Sequence, residues 1–217
     1  MEHVQFRAAD GVLLDGRLFG SGDKGVVLVH MGRGGDTQND WSGVARLLAQ
    51  KGFRVLTYDR RGVCIRNGTG CSHGYDDYAA SWKDIVGALR FLRTKGVTTK
   101  VVAGASIGAM ASLYAASRHE IRPAGLIEFA GINHASGYDF DRAQIHGIGG
   151  SKLFLSARQD VYGGGEAARQ WYGWASLPKK LELVPGTQHG TDLLQPRNRL
   201  RRRIEQIIVK FVENASR

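Results

Sequence analysis

Short apolar runs alternate along the chain with stretches in which apolar residues return every three or four positions, and the two periods read as strands and helices. Val26-Val27-Leu28-Val29 is continuously apolar and largely β-branched, as a strand covered on both faces must be. Phe53–Tyr58, Val101–Ala103, Ala124–Ala130, Lys152–Ser156 and Lys180–Val184 read as further strands. Trp41, Val44, Leu47 and Leu48 form one helical stripe between them, and Tyr78, Trp82, Ile85, Leu89 and Leu92 form another. Ala167, Ala168, Trp171 and Trp174 mark a helix before the last strand; their spacing suits a core-facing stripe better than an aromatic ligand box. Leu200, Ile204, Ile207, Ile208, Phe211 and Val212 mark a final helix. At the front, Val4–Ala8 and Val12–Phe19 flank Asp10-Gly11, a strong hairpin turn. Strands alternating with helices predict an α/β fold, with a mainly parallel sheet and helices on both faces. Ligands of such sheets gather beyond the carboxyl ends of the strands. With no repeat or linker, residues 1–217 are expected to form a single domain.

That rim is where the chemistry concentrates. Gly104-Ala105-Ser106-Ile107-Gly108 is a G-x-S-x-G pentapeptide between the strand Val101–Ala103 and the small-residue helix that begins Ala109-Met110-Ala111. A strand turning abruptly into a helix at a serine leaves the hydroxyl exposed above the sheet, and the glycines remove side chains where strand and helix crowd together. Asp160 follows the strand ending at Ser156, and His189 follows the last strand in a loop with glycines at 186 and 190. Serine, aspartate, histidine is the chain order expected with such an elbow. His189 would take the Ser106 proton, while Asp160 fixes the imidazole tautomer and stabilises its cation. Glu128, Asp139 and Asp141 compete for the acid's role; Asp160 has the cleaner strand-end position, and Glu128 within an apolar strand suits a buried, paired carboxylate. The other histidines lack either the order or the placement.

A developing oxyanion needs two donors. The Ile107 amide, directly after the serine, is one, and the Met31 amide in the glycine-rich loop His30–Asp36 is the other. A phosphate loop is the rival explanation of those glycines, but no Lys-Ser/Thr follows them. Gly32, Arg33, Tyr75 and Tyr138 are candidate pocket residues, and His30 is expected to be structural.

Charge changes this picture little. The net charge of +10 is concentrated in Arg197–Arg203, which could attract nucleic acid, acidic membranes or anionic substrates. No aromatic interleaving accompanies it, so the arginines are read as the solvated face of the last helix, and no nucleic-acid partner is expected. No run is long and apolar enough to span a bilayer, and the first residues lack signal-peptide character, so a cytoplasmic setting is expected. Cys64 and Cys71 would bridge only if their loop folds back; two free thiols are the expectation in a cytosolic protein. No histidine–cysteine spacing suggests a metal site.

His30-Met31-Gly32, Tyr58-Asp59-Arg60-Arg61-Gly62, Gly104–Gly108, Asp160 and His189-Gly190 together resemble the α/β-hydrolase superfamily, from about Val26 onward. The resemblance implies an eight-stranded sheet, serine hydrolase chemistry and no cofactor. Met31 departs from the glycine usual after the loop histidine, which would narrow the site, and Cys64 departs from the glycine that often continues the D-x-R-G turn. About 20 residues separate Ala130 from Ser151, too few for the multi-helix cap many members carry. The expectation is a small, lidless serine esterase acting on short-chain carboxylic esters. A thioesterase, lactonase or amidase would use the same machinery, and a catalytically silent ligand-binding protein on this fold is the alternative from another class.

Overall fold

The computed structural model describes residues 1–31, 36–64, 71–135 and 137–217. The opening hairpin pairs β1 (Glu2–Arg7) with β2 (Leu13–Phe19) in antiparallel register, Val4 opposite Gly16 and Phe6 opposite Leu14. Gly11, at φ +89°, turns the chain between them, with the Ala8 amide donating to the Val12 carbonyl. The remaining strands are β3 (Lys24–Val29), β4 (Arg54–Tyr58), β5 (Thr98–Ala105), β6 (Gly125–Phe129), β7 (Ser151–Ala157) and β8 (Lys179–Val184). They join the hairpin in one eight-stranded sheet of order β1-β2-β4-β3-β5-β6-β7-β8. From β4 across to β8 every pairing is parallel, and only the hairpin and its junction with β4 are antiparallel.

Successive residues of the central strands bury on opposite faces, which is why those runs are apolar throughout rather than alternating. Val26 and Leu28 pack with α1 (Ser42–Gln50) and α6 (Arg201–Ala215). Val27 and Val29 pack on the other face with α2 (Trp82–Thr94), α3 (Ile107–Ser117), the short α4 (Arg142–His146) and α5 (Gly164–Trp174). Single-turn 3₁₀ helices at Gln38–Trp41 and Gly190–Leu194 follow the carboxyl ends of β3 and β8.

Most sequence expectations hold to within a residue or two. Tyr78 lies four residues ahead of α2 instead of on it, and Trp41 belongs to the 3₁₀ turn before α1. Arg197 and Arg199 precede α6, which starts at Arg201, so the basic run straddles the helix start. The cysteines require a correction: Cys64 and Cys71 are joined in a disulfide, their Cα atoms 4.4 Å apart, and pair as an isolated antiparallel bridge. Among the described residues, no helix is long and apolar enough to cross a membrane.

Candidate active site

The sheet delivers three residues to one rim. β5 ends at Ala105, and Ser106 turns the chain into α3 at φ 49° and ψ −115°, a strained conformation for a residue with a side chain. The Ser106 amide donates to the Phe129 carbonyl of the neighbouring strand at 2.9 Å, and its carbonyl accepts from Met110 in α3. The elbow has no room for side chains on either flank. A Cβ at Gly104 would stand 2.1 Å from the Gly108 carbonyl oxygen, and one at Gly108 would stand 2.7 Å from the Val29 and His30 oxygens.

Asp160 and His189 arrive from the ends of β7 and β8. His189 Nε2 lies 2.7 Å from Ser106 Oγ, and its Nδ1 lies 2.9 Å from both Asp160 carboxylate oxygens. The Nδ1 proton facing a carboxylate leaves Nε2 as the acceptor for the serine hydroxyl. Asp160 Oδ1 also accepts from the Tyr162 amide at 2.9 Å. All three residues are buried, the serine being 8% exposed, so their mutual polarity acts with little competition from water. The rival acids are engaged elsewhere. Asp139 pairs with His134 at the surface, and Asp141 caps α4. Glu128 accepts from the Gly131 amide, and burial, with the Asp160 charge adding, pushes its carboxyl up to about 8.

The surrounding loops are tied down by the D-x-R-G segment. Asp59 accepts from the Gln38 backbone and side-chain nitrogens, fixing the end of the loop after β3. The Arg60 amide donates to His30 Nε2 at 3.2 Å, and burial, aided by the Arg60 charge, lowers that histidine's pKa to about 3. His30 is therefore a neutral, buried hydrogen-bond acceptor and not a proton carrier. Arg61 donates from its backbone and side chain to Asp84 of α2 and reaches Asp10 in the hairpin turn. Gly62, at φ +77°, faces the Asp76 amide, 2.3 Å from where a Cβ would sit.

Beside Ser106 opens a cavity of about 290 Å³ lined by Met31, Asp36, Tyr78, Ser106, Ile107, Ile132, Ala135, Tyr162 and His189. Met31 and Ile107, the two expected oxyanion donors, both stand on it. As the first residue of α3, Ile107 has an amide with no intrahelical acceptor. Gly32 and Arg33 lie outside the described residues. Neither tyrosine expected in the pocket lines it. Tyr75 is 91% exposed, while Tyr138 is fully buried, its hydroxyl donating to the Tyr78 carbonyl at 2.6 Å and lying 3.0 Å from Ser81 Oγ.

Tyr138 serves instead to pin the short segment between β6 and α4, and that segment supplies Ile132 and Ala135 to the cavity wall. Tyr78 and Tyr162 are the aromatic lining residues that sequence reasoning missed. Tyr78 falls on the helical stripe that the sequence predicts, and the one signal for Tyr162 is its position two residues past Asp160. A larger groove of about 690 Å³ runs along α5 beside Trp171 and Trp174, but it contains none of Ser106, Asp160 and His189. Trp171 is 2% exposed, which agrees with a core-facing stripe. No cluster of metal-ligating side chains occurs among the described residues.

A search of curated sequences returns no match. Among solved structures, an esterase from Thermogutta terrifontis superposes with a TM-score of 0.78 at 15% identity, covering 100% of both chains. A monoacylglycerol lipase from Paleococcus ferrophilus gives 0.74 at 15% identity over 94% of this chain and 99% of the other. An esterase from Exiguobacterium antarcticum gives 0.74 at 16% identity over 98% and 100%. These likenesses concern the fold. Residues 25–147 match the sequence model of the alpha/beta hydrolase fold, a span holding His30-Met31, the D-x-R-G turn and the Gly104–Gly108 pentapeptide. With more than half its length in that match, and with the sheet order described above, the chain belongs to the α/β-hydrolase family.

Proposed function

We propose that this protein is a serine hydrolase that cleaves small carboxylic esters through an acyl-enzyme on Ser106. Ser106 Oγ attacks the acyl carbonyl carbon as its proton passes to His189 Nε2, and the carbonyl oxygen takes up the negative charge. The Met31 and Ile107 amides stabilise that oxyanion. The C–O bond to the alcohol then breaks, and His189 gives its proton to the departing oxygen. Water enters, loses a proton to His189 and attacks the acyl carbon; the carboxylic acid leaves and Ser106 regains its hydrogen. Asp160 holds the imidazole tautomer and balances its charge while it is protonated. The reaction as written needs no cofactor, metal or nucleic-acid partner.

The observation that carries this reading is the unbroken hydrogen-bonded line from Ser106 Oγ through His189 to Asp160, with steps of 2.7 and 2.9 Å. The cavity's size and its mostly apolar wall favour a small acyl substrate. The whole chain is taken as one catalytic domain, since the serine, the histidine and the acid hang from a single sheet.

A serine-directed phosphonate tests the proposal. Stoichiometric labelling at Ser106, lost in Ser106→Ala, supports it. An unlabelled wild-type protein that still binds ester analogues would show a silent receptor on this fold. A panel of esters, thioesters, lactones and amides, compared against Ser106→Ala, ranks the acyl classes that share this mechanism.

A further inference from the structure

The aromatic ring standing against His189 is not needed to assemble the three catalytic groups. Tyr162 packs edge-on to the imidazole with ring centroids 4.8 Å apart, and it lines the cavity. It is nevertheless 54% exposed, and its neighbour Val161 is 66% exposed, so an apolar lip faces solvent at the mouth of the site. The lip is held firmly. The Tyr162 amide donates to Asp160 Oδ1 at 2.9 Å, the Val161 amide to the Thr187 carbonyl at 3.1 Å, and the Gly163 amide to the Asp160 carbonyl at 3.0 Å. The carboxylate that orients the imidazole thus also fixes the backbone of the residue covering it.

We propose that Tyr162 forms the alcohol subsite and that the protein favours esters of aromatic alcohols over those of small alkyl alcohols. The inference rests on the assignment of Ser106 and His189 above. To be protonated, the leaving oxygen must come within about 2.6–3.2 Å of His189 Nε2. The group carried by that oxygen is then brought beside the ring that packs on the imidazole. A methyl or ethyl group is too short to cover that ring. A benzyl group reaches it and can stack on it or meet its edge, and aromatic pairs favour both arrangements. The exposed half of Tyr162 is the surface such a ligand would cover. The interaction uses the ring of Tyr162 and not its hydroxyl.

Benzyl acetate and ethyl acetate share an acyl group and have leaving alcohols of similar acidity, so their ratio reports the alcohol subsite and not intrinsic reactivity. Wild-type protein is expected to prefer benzyl acetate to ethyl acetate and to cyclohexylmethyl acetate, which matches its bulk without aromaticity. Tyr162→Ala is expected to lower kcat/KM for benzyl acetate roughly fivefold to tenfold, mainly through KM, the scale of one lost aromatic contact with its buried area. Ethyl acetate should lose clearly less than benzyl acetate in the same variant, so that the benzyl-to-ethyl ratio falls, and Tyr162→Phe should keep the benzyl preference. Equal losses on both esters, no loss on either, or equal use of cyclohexylmethyl and benzyl acetates in the wild type would overturn the proposal. Phosphonate labelling separates the two possible failures. A wild-type protein that does not label removes the catalytic assignment itself, whereas one that labels but shows no Tyr162-dependent ratio removes only the subsite.

Discussion

Glu128 offers a direct test of how burial governs the ionisable groups around this site. It stands in β6, beside the strand β5 that leads into Ser106, and is 1% exposed. One carboxylate oxygen accepts from the Gly131 amide, and the other is buried without a hydrogen-bond partner. Burial raises its pKa from 4.5 to about 8, the Asp160 charge contributes in the same direction, and the Gly131 hydrogen bond opposes them. A carboxyl that binds its proton more tightly when folded makes the folded state hold one proton more than the unfolded chain between those two values. Stability from this group is therefore fully present below pH 4.5, falls through the window from about 4.5 to about 8, and stays lost above it. At about 1.4 kcal/mol per pH unit across that window, the loss approaches 4–5 kcal/mol as an upper bound, because an ionised side chain can draw in water.

Glu128→Gln removes the titration while keeping the shape and the acceptor for Gly131. The assay is urea unfolding of both proteins at pH 5, 7 and 9. At pH 5, where Glu128 is protonated, the two should agree to within about 1 kcal/mol, since the swap is nearly isosteric. At pH 9 the glutamine variant should be more stable by several kcal/mol, which corresponds to a melting difference on the order of 10 °C for a chain of this size. Parallel pH profiles for wild type and variant would refute the account, because they would mean that Glu128 ionises no differently in the folded and unfolded states.

Two further outcomes follow from the same coordinates. Asp160→Asn should keep the fold but lower kcat by about 10⁴-fold, as it would present the wrong imidazole tautomer to Ser106; ester turnover measured beside a circular-dichroism melt checks it, and a loss below about tenfold would count against the orienting role. Gly190→Ala would place a Cβ 2.4 Å from Met31 Sδ at φ +49°; because the methionine side chain can move, the expected stability cost is only about 1–2 kcal/mol, while kcat/KM should fall far more than the melting temperature suggests. Activity that tracks stability one-for-one would show that the Met31 contact does not matter to catalysis.

The sequence made the rim legible because each of its elements has a period or a punctuation that survives translation into structure. Val26–Val29 is apolar at every position since both faces of β3 are covered, and the abrupt change from Ala105 to a small-residue helix marks the elbow. Asp160 and His189 could be found because a parallel sheet puts every strand's carboxyl end on one side. What the sequence hid was determined by contacts between segments with no periodicity. Tyr138 looked like a pocket residue because it lies in a loop after β6. The structure buries it, since its hydroxyl finds the Tyr78 carbonyl and Ser81 on the far side of the loop. The disulfide was hidden for a related reason: a spacing of seven residues does not say whether two cysteines come within bonding distance.

The loops that bear the chemistry also depend on one another in a way no single motif reveals. Gly190 follows His189, the proposed base, and the space its missing side chain leaves is filled by Met31 of the loop after β3. Met31 stands where the family usually has glycine. The Met31 thioether takes the space that a Cβ at position 190 would need, and Met31 in turn forms part of the cavity wall at 2% exposure. Lining the pocket with a thioether in place of bare backbone makes it narrower and more apolar. Ile132 and Ala135, held in place through Tyr138, act in the same direction from the opposite loop. On the proposed reading, selectivity for small apolar acyl groups would then arise from two loops packed beside Ser106 and His189, with no need for a cap domain above them.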